Sequence, residues 1–176
     1  MIFTETKLKG SFIIEPERIV DERGFFARAW DDEIFEKHGL SPVIKQCNIS
    51  FNKMKGTIRG MHYQTYPHEE AKLVRCTKGN ALEIMLDLRS DSKTYMQWMG
   101  IEVSAENYKM LYVPKGFALG FQTLENDTEL FYQMSEKYMP EFGRGIRWDD
   151  PTIGISWPLE PTIISKKDMS LPYLRK

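Results

Sequence analysis

Short segments in which apolar and polar residues alternate constrain the fold of this chain more than any other feature. In the segment 81–88, aliphatic residues occupy every second position, and Glu83, Met85 and Asp87 lie between them. This period of two is typical of a β-strand, whose successive side chains point to opposite faces. Eight further short segments are predicted to be strands: 11–14, 44–51, 58–64, 72–77, 97–103, 110–113, 120–124 and 129–135. Turn-forming residues separate many of them, so the sequence predicts an all-β fold, a sandwich or jelly roll.

One helix stands out, from about Asp31 to His38. Acidic residues occupy its first turn, cationic residues its last turn, and Gly39 is its stop. We expect it to lie at the periphery of the sheets, as would any short helix near the C-terminus. No internal repeat or low-complexity linker divides the 176 residues. The chain is long enough to bury a core, and we therefore expect a single domain over residues 1–176.

Charge and cysteine content narrow the classes of function. Lys and Arg together number 24, against 25 for Asp and Glu, so no global field attracts nucleic acid or an anionic membrane. Cys47 and Cys76 lie outside any CxxC pattern, and we expect reduced thiols that act as buried small hydrophobic residues. The N-terminus lacks the apolar core of a signal peptide, and no apolar run approaches the ~20 residues that cross a bilayer. These features predict a cytoplasmic protein.

A short basic span, residues 56–75, carries the side chains with the most chemistry: Arg59, His62, Lys72 and Arg75. Histidine moves protons near neutral pH, lysine stabilises a developing oxyanion, and arginine holds phosphate in a fixed fork. These are the groups that acid/base chemistry on a phosphorylated substrate needs. The same residues also fit a solvated strand and loop with a hydrogen-bonded histidine, and composition alone does not separate the two interpretations.

Alternation assigns the side chains of the predicted strands to faces. In the segment 58–64, His62 and Gln64 share one face and Arg59 lies on the other. Four polar residues enter the core if their faces point inward: His62, Gln64, Glu83 and Tyr132. An open cavity would explain them, although Tyr132 also fits a core tyrosine with a bonded hydroxyl. Arg59 joins this cavity only if the strand bends or bulges near Gly60.

The motifs of several other site types are missing from the sequence. A cupin metal site typically contains a His-x-His pair, but the segment 62–64 reads His-Tyr-Gln, and Leu119 stands where such a pattern needs a further histidine. The chain has only three histidines, so a multi-histidine metal centre is not expected. No G-x-S-x-G, GxxxxGK[ST] or GxGxxG pattern indicates a serine hydrolase, a nucleoside triphosphate or a dinucleotide.

Blocks of residues in one order along the chain carry a resemblance to a known family. They are DERGFF (21–26), GTIRGMHYQ (56–64), KLVRC (72–76), SAEN (104–107), PKGFA (114–118), RWDDP (147–151), GISWP (154–158) and ISKKD (164–168). Over nearly its whole length the chain resembles the dTDP-4-dehydrorhamnose 3,5-epimerase family, cupin-fold enzymes of deoxysugar nucleotide biosynthesis. The resemblance implies a cupin-type jelly roll, a homodimer with exchanged N-terminal strands, and no metal or organic cofactor.

Four residues match the family's catalytic positions. The resemblance implies that His62 is the base, that Asp168 orients and charges it, that Lys72 stabilises the enolate, and that Tyr132 is the opposing acid. The C3 and C5 protons of a 4-keto sugar lie alpha to the carbonyl, so removing either one forms an enolate. A base and an acid on opposite sides of the ring are the minimum for inversion.

Further residues match family positions that bind the substrate. By this resemblance Arg23 and Arg59 hold the diphosphate, and Gln46 and Asn48 line the nucleotide site. Two aromatic residues, Phe26 and Tyr138, match positions near the base. Each of these six also fits an ordinary surface or packing residue.

Two positions depart from the family pattern. Leu119 replaces the histidine of the usual Gly-Phe-Ala-His-Gly, and Arg28 stands where members of the rhamnose pathway commonly have Glu. Leucine cannot donate or accept a hydrogen bond. The change from a negative to a positive charge at position 28 affects which nucleotide base the site recognises. The sequence therefore leaves open which nucleotide the substrate carries and whether C3, C5 or both are inverted.

The expected function is cofactor-independent epimerisation of a nucleotide-linked 4-keto-6-deoxyhexose. By default the substrate is dTDP-4-dehydro-6-deoxy-D-glucose and the product dTDP-4-dehydro-L-rhamnose. One alternative is an enzyme that inverts a single carbon, C3 or C5, of a CDP-, GDP- or other dTDP-linked ketosugar. Another is a sugar-nucleotide-binding cupin without turnover. A structural or adaptor protein gives no reason for inward-facing polar residues.

Overall fold

The computed structural model describes residues 1–174 of the chain. In this part the elements are β1 (Ile2–Glu5), β2 (Phe12–Glu15), β3 (Ile19–Asp21), β4 (Gly24–Phe26), α1 (Asp32–Lys37), β5 (Gln46–Asn52), β6 (Thr57–Gln64), β7 (Lys72–Lys78), β8 (Asn80–Asp87), β9 (Trp98–Ser104), β10 (Met110–Val113), β11 (Phe117–Thr123), β12 (Thr128–Met134), β13 (Gly143–Gly145), β14 (Ile163–Ile164) and α2 (Lys166–Met169). All nine predicted strands are present, with ends that differ by at most three residues. The predicted domain over residues 1–176 stays a prediction, and its last two residues lie outside the described part.

Two sheets form the body of the molecule. The first has the strand order β1-β2-β10-β7-β12-β5, and the second β13-β6-β11-β8-β9. Neighbouring strands within each order are antiparallel, whereas β14 adds to β6 in parallel. A separate hairpin of β3 and β4 precedes α1. Two facing antiparallel sheets of this order confirm the predicted all-β jelly roll.

Apolar side chains form one cluster between the sheets and one on the outer face of each sheet. The inner cluster joins residues of both sheets, among them Val74, Leu111, Met85 and Phe121. On β8 the residues that alternate with Met85 pack outward into a second cluster that includes Ile146 of the C-terminal region. Because both faces of β8 are buried, this strand reads as nearly continuous apolar sequence interrupted by carboxylates.

The helix α1 closes the outer face of the first sheet. The Asp31 side chain accepts a hydrogen bond from the Ile34 N–H, and His38 caps the other end, before Gly39 at φ +72°. Phe35 is buried and packs into the cluster around Tyr112. The predicted helix is present but one residue shorter at each end, with Asp31 and His38 as its caps, and its acidic start and glycine stop are confirmed.

The strand β6 bends where Gly60 meets Gly120 of β11. Gly60 has φ +121°, and a Cβ atom there would lie 2.5 Å from the Gly120 Cα, so the position requires glycine. The register of β6 and β11 shifts between Leu119 and Phe121. As a result Arg59 and His62, which strict alternation places on opposite faces, line the same cavity. This register shift is the irregularity of the strand that Arg59 was predicted to need in order to join the cavity.

Sequence reasoning was wrong about one cysteine. Cys76 is buried in the inner cluster, as expected, but Cys47 is exposed. Its neighbours Gln46 and Asn48 on β5 line the cavity, so alternation turns the Cys47 side chain to the outer face of the sheet. Within residues 1–174, no helix is long and apolar enough to cross a membrane.

Candidate active site

A cavity of about 770 Å³ lies between the two sheets. It is large enough for a small organic ligand and is lined by residues of both sheets. The four inward-facing polar residues expected from alternation all line it: His62, Gln64, Glu83 and Tyr132. The cavity explains why polar side chains occupy strand positions that a filled sandwich would give to apolar ones.

His62 and Asp168 form a hydrogen-bonded pair at the wall of the cavity. His62 Nε2 lies 2.7 Å from Asp168 Oδ1, although the two residues are 106 positions apart. The side chain of His62 is 42% exposed and that of Asp168 only 5%, so the imidazole faces the cavity and the carboxylate lies behind it. This is the arrangement in which a carboxylate orients a histidine that handles protons.

The short helix α2 places Asp168 behind His62. Ser165 is its N-cap and accepts a hydrogen bond from the Asp168 N–H, while Asp168 Oδ2 accepts one from the Gly60 N–H at 3.3 Å. Burial by itself raises the pKa of the Asp168 carboxyl, but the hydrogen bond and charge of His62, with the bonds from Gly60 and Ser165, outweigh burial. The pKa is therefore held below its usual value, and the group is a carboxylate at neutral pH.

Lys72 lies at the start of β7 on the opposite sheet. Its side chain is 11% exposed, and its Nζ lies 2.8 Å from Glu70 Oε1 and 3.5 Å from the carbonyl oxygen of His62. Glu70 is itself buried and lines the same cavity. The ion pair thus fixes an ammonium group next to the backbone of the strand that carries His62.

Tyr132 faces the cavity from β12, next to Val74 of β7 in the same sheet. Burial raises the pKa of its hydroxyl, the charge of Arg59 lowers it, and that of Glu83 raises it further. The hydroxyl is therefore protonated at neutral pH. Because Tyr132 belongs to the first sheet and His62 to the second, the two groups approach the cavity from opposite sheets.

Polar and aromatic side chains on β5 and after β12 form the outer part of the cavity. Gln46 Nε2 donates to Asn48 Oδ1 at 3.1 Å, and Gln46 Oε1 accepts from the Tyr138 N–H at 2.9 Å. The Tyr138 side chain is about half exposed. Arg59 is held by Asn52 Oδ1, 2.7 Å from its Nε. The structure thus brings these four predicted binding residues together with His62, Lys72 and Tyr132.

Leu119 also lines the cavity. On β11 it lies between His62 of β6 and Met85 of β8, and it packs against the inner apolar cluster. The departure from the family pattern therefore places an aliphatic side chain directly beside His62.

Three predicted binding residues do not reach the cavity of their own chain: Arg23, Phe26 and Arg28. All three are exposed on or after the β3–β4 hairpin. Arg23 pairs with Asp21, and Arg28 with Asp31 at 2.6 Å. Their predicted binding roles therefore stay predictions that the cavity of a single chain does not fulfil.

Several cavity residues were missed by sequence reasoning: Ser50, Glu70, Arg144, Lys167 and Leu171. Lys167 precedes Asp168 in a block that carried the family resemblance, and this adjacency was the available signal. Arg144 is the middle residue of β13, a strand too short for its periodicity to be recognised, and it reaches the cavity because β13 pairs with β6. Among the described residues, no group of three or more His, Cys, Asp or Glu side chains is placed to hold a metal ion.

Fold and cavity together define a cupin-type protein. Its jelly roll encloses a histidine of one sheet that is paired with an aspartate of α2, a tyrosine and a buried lysine of the other sheet, and polar groups in the outer part of the cavity. Comparison with known proteins narrows the class. The model of the dTDP-4-dehydrorhamnose 3,5-epimerase family matches residues 5–176, and this chain belongs to that family of isomerases.

Individual relatives agree with this assignment. The chain is 42% identical to the dTDP-4-dehydrorhamnose 3,5-epimerase of Methanothermobacter thermautotrophicus, over 99% of this chain and 95% of the relative. It is similar to the crystal structure of the Bacillus anthracis enzyme with TDP and PPi bound, with a TM-score of 0.94 and 38% identity, over 98% and 99% of the two chains. The Legionella pneumophila enzyme in complex with dTDP-4-keto-L-rhamnose has a TM-score of 0.91 and 34% identity, over 98% and 92%.

Proposed function

We propose that this protein epimerises dTDP-4-dehydro-6-deoxy-D-glucose at C3 and C5 to dTDP-4-dehydro-L-rhamnose. The observation that carries the proposal is the His62–Asp168 pair, which faces Tyr132 across the cavity of a chain in this family. Relatives with the same fold bind TDP or dTDP-4-keto-L-rhamnose, which supports a nucleotide sugar as the class of substrate.

In this proposal His62 removes the proton next to the keto group. Its Nε2 is engaged by Asp168, which leaves Nδ1 to accept the proton from carbon. The Asp168 carboxylate then stabilises the imidazolium that forms. The electron pair of the broken C–H bond moves to the carbonyl oxygen and gives an enolate.

Lys72 stabilises that enolate. Its ammonium group is almost fully buried, so its charge acts on the oxyanion with little screening by water. Tyr132 returns a proton to the same carbon from the opposite face, which inverts the configuration. Its hydroxyl is protonated at neutral pH and is available as the acid.

The mouth of the cavity holds the nucleotide diphosphate. Arg59 supplies the guanidinium for the diphosphate, Gln46 and Asn48 supply amide groups, and Tyr138 offers a half-exposed ring on which a base can stack. These assignments place the sugar toward the buried residues and the nucleotide toward the solvent.

We further propose that the protein is a homodimer with exchanged N-terminal strands. The β3–β4 hairpin carries large exposed apolar side chains: Ile19 is 69% exposed, Val20 75% and Phe26 68%. Monomers rarely leave such a surface uncovered. In the dimer the hairpin covers the partner's cavity, and Arg23, Phe26 and Arg28 act on the substrate bound there.

One observation favours a second candidate, an epimerase that inverts only C3 or C5. Leu119 places an aliphatic side chain beside His62 and removes a hydrogen-bonding group from the cavity. A sugar whose orientation depends on that group presents one carbon to His62 more readily than the other.

Deuterium incorporation distinguishes these functions. The purified protein is incubated with dTDP-4-keto-6-deoxyglucose in heavy water, and C3 and C5 are followed by NMR. We expect exchange at both carbons. His62→Asn should abolish exchange but retain TDP binding, while His38→Ala, outside the cavity, should behave as wild type. Exchange at one carbon would support the second candidate, and TDP binding without exchange in the wild-type protein would indicate a binding protein.

A further inference from the structure

Glu83 is a buried acidic residue that the proposed mechanism does not use. It lies on β8 between Phe121 of β11 and Ile101 of β9, and it is 1% exposed. Its side chain lines the cavity. Among the described residues, neither carboxyl oxygen of Glu83 has a hydrogen-bond partner. Buried polar groups are almost always hydrogen-bonded, so this one is left for a ligand in the cavity.

The surroundings of Glu83 favour the neutral acid. Burial raises its pKa to about 8, against a smaller opposing effect of Lys72. Lys72 is paired with Glu70, whose negative charge offsets the ammonium as seen from Glu83. A protonated carboxyl group can donate a hydrogen bond, whereas the ionised form can only accept one.

We propose that Glu83, as a neutral carboxylic acid, donates a hydrogen bond to the substrate oxygen that becomes the enolate oxyanion and shares this oxygen with Lys72. This inference rests on the proposed function. The C–H proton goes to His62 and the electron pair to the oxygen, while Glu83 keeps its own proton throughout. A donor aimed at a developing charge in a buried site is a large contribution to catalysis.

The position of Glu83 in the fold supports a shared oxyanion site. Lys72 belongs to the first sheet and Glu83 to the second, so the two donors approach the cavity from opposite sides, as His62 and Tyr132 do. In the proposed mechanism the enolate forms between the base and the acid, in the same cavity that both donors line. A second cation there would repel Lys72, whereas a neutral acid adds a donor without adding charge.

Two substitutions distinguish a role of Glu83 as a hydrogen-bond donor from a role in packing. Glu83→Gln keeps the shape and an N–H donor, while Glu83→Met keeps the approximate volume and removes the donor. Met85→Leu, one inward position further along β8, is the matched control. We expect kcat to fall about 100-fold in Glu83→Met and less than about tenfold in Glu83→Gln, with KM and TDP binding unchanged in both.

The pH profile gives a readout that a packing role would not move. Other titratable or charged groups surround Glu83 on the neighbouring elements: Lys72 and Cys76 of β7, Glu70 before it, Tyr132 of β12, and Arg59 and His62 of β6. These groups are the same in every variant. We therefore expect wild-type kcat to decline above about pH 8, where Glu83 ionises, and the Glu83→Gln profile to lose that decline.

Three outcomes would overturn the inference. The first is a wild-type kcat in Glu83→Met, and the second is an equal loss of kcat in Glu83→Gln and Glu83→Met together with weaker TDP binding. The third is an alkaline decline of kcat in Glu83→Gln that is unchanged from wild type. Each of these contradicts donation by the neutral acid. Deuterium exchange by the wild-type protein distinguishes a failure of this inference from a failure of the proposed function. If the wild type exchanges deuterium while any of these outcomes holds, only the role of Glu83 is wrong, whereas no exchange by the wild type removes the proposed function itself.

Discussion

The ionised carboxylate of Asp168 is the hydrogen-bond partner of His62. It accepts hydrogen bonds from the imidazole and from the Gly60 N–H, and it lies in a position that water hardly reaches. In the proposed mechanism this carboxylate stabilises the imidazolium that proton abstraction produces. Without its charge, the histidine would keep its place in the cavity but lose that stabilisation.

We expect Asp168→Asn to lower kcat for epimerisation by roughly 10²–10³-fold, because the proposed general base loses its charged partner. KM should change little, since Asp168 lies behind His62 and does not line the cavity. Steady-state kinetics measure both constants. Asp149→Asn, which breaks a surface pair with Arg147, is the control for loss of a carboxylate. Unchanged turnover in Asp168→Asn would rule out the pair as the catalytic base.

Residue-scale predictions from sequence succeeded where alternation alone decides the direction of a side chain. Glu83 and Tyr132 face the cavity because their strands are regular. Arg59 needed the register shift at Gly60, which the glycine permits but does not require. The contact of His62 with Asp168 spans 106 positions, and no local pattern reports such a pairing. Family resemblance, rather than periodicity, suggested it.

At the scale of elements, the paired strands β6 and β11 shape the cavity through their close approach. Gly60→Ala should destabilise the fold by about 3 kcal/mol or more, because its Cβ atom would collide with backbone at a positive φ. Gly154→Ala is the matched control: its φ is +65°, but nothing lies within 4 Å of the added atom. We expect a loss of only about 1 kcal/mol there. Chemical denaturation measures the free energy of unfolding of both variants. Equal losses would show that backbone strain alone, and not the collision, causes the destabilisation.

The end of β8 is tied to the following turn by one buried carboxylate. Asp87 accepts hydrogen bonds from the backbone and guanidinium of Arg89, and from the hydroxyls of Ser92 and Thr94 at 2.6 and 2.7 Å. Burial raises its pKa, but these bonds, those of Arg89 first, bring it down to about 2. The carboxylate is therefore more stable in the folded than in the unfolded chain.

This shift predicts how stability depends on pH. The folded pKa of Asp87 lies below the unfolded value, so its contribution of about 2 kcal/mol is present above about pH 4 and is lost as pH falls toward 2. Asp87→Asn should lower the free energy of unfolding at pH 7, and the difference from wild type should shrink near about pH 3. Asp91→Asn, at an exposed site, should change little. A difference that does not vary with pH would mean that Asp87 acts through packing alone.

The elements that sequence reasoning missed are short and carry little periodicity. β1, β3, β4, β13 and β14 have two to four residues each, and three exposed residues make up each strand of the β3–β4 hairpin. A period of two needs more residues than this to be recognised. Strands in the body of the sandwich are longer: β8 was predicted to within one residue at each end, whereas the predicted start of β11 lies three residues too late.

At the scale of the whole molecule, the predicted substrate site is divided within one chain. The cavity contains the proposed base, acid and lysine, but the exposed hairpin that carries Arg23 and Phe26 does not line it. The proposed exchange of N-terminal strands resolves this division, because each hairpin then completes the cavity of the other subunit. Closed symmetry of this kind gives two equivalent sites in every dimer.

Mixing two inactive variants tests whether Arg23 acts across the dimer. Arg23→Ala and His62→Ala are each expected to be nearly inactive as homodimers. In a mixed dimer one site pairs the intact His62 of one chain with the intact Arg23 of the other, while the second site carries both changes. Unfolding and refolding an equal mixture should therefore restore about a quarter of the wild-type sites. If Arg23 served its own chain, no site in the mixed dimer would be intact and the mixture would stay inactive. Light scattering of the wild-type protein at a monomer mass would contradict the exchange directly.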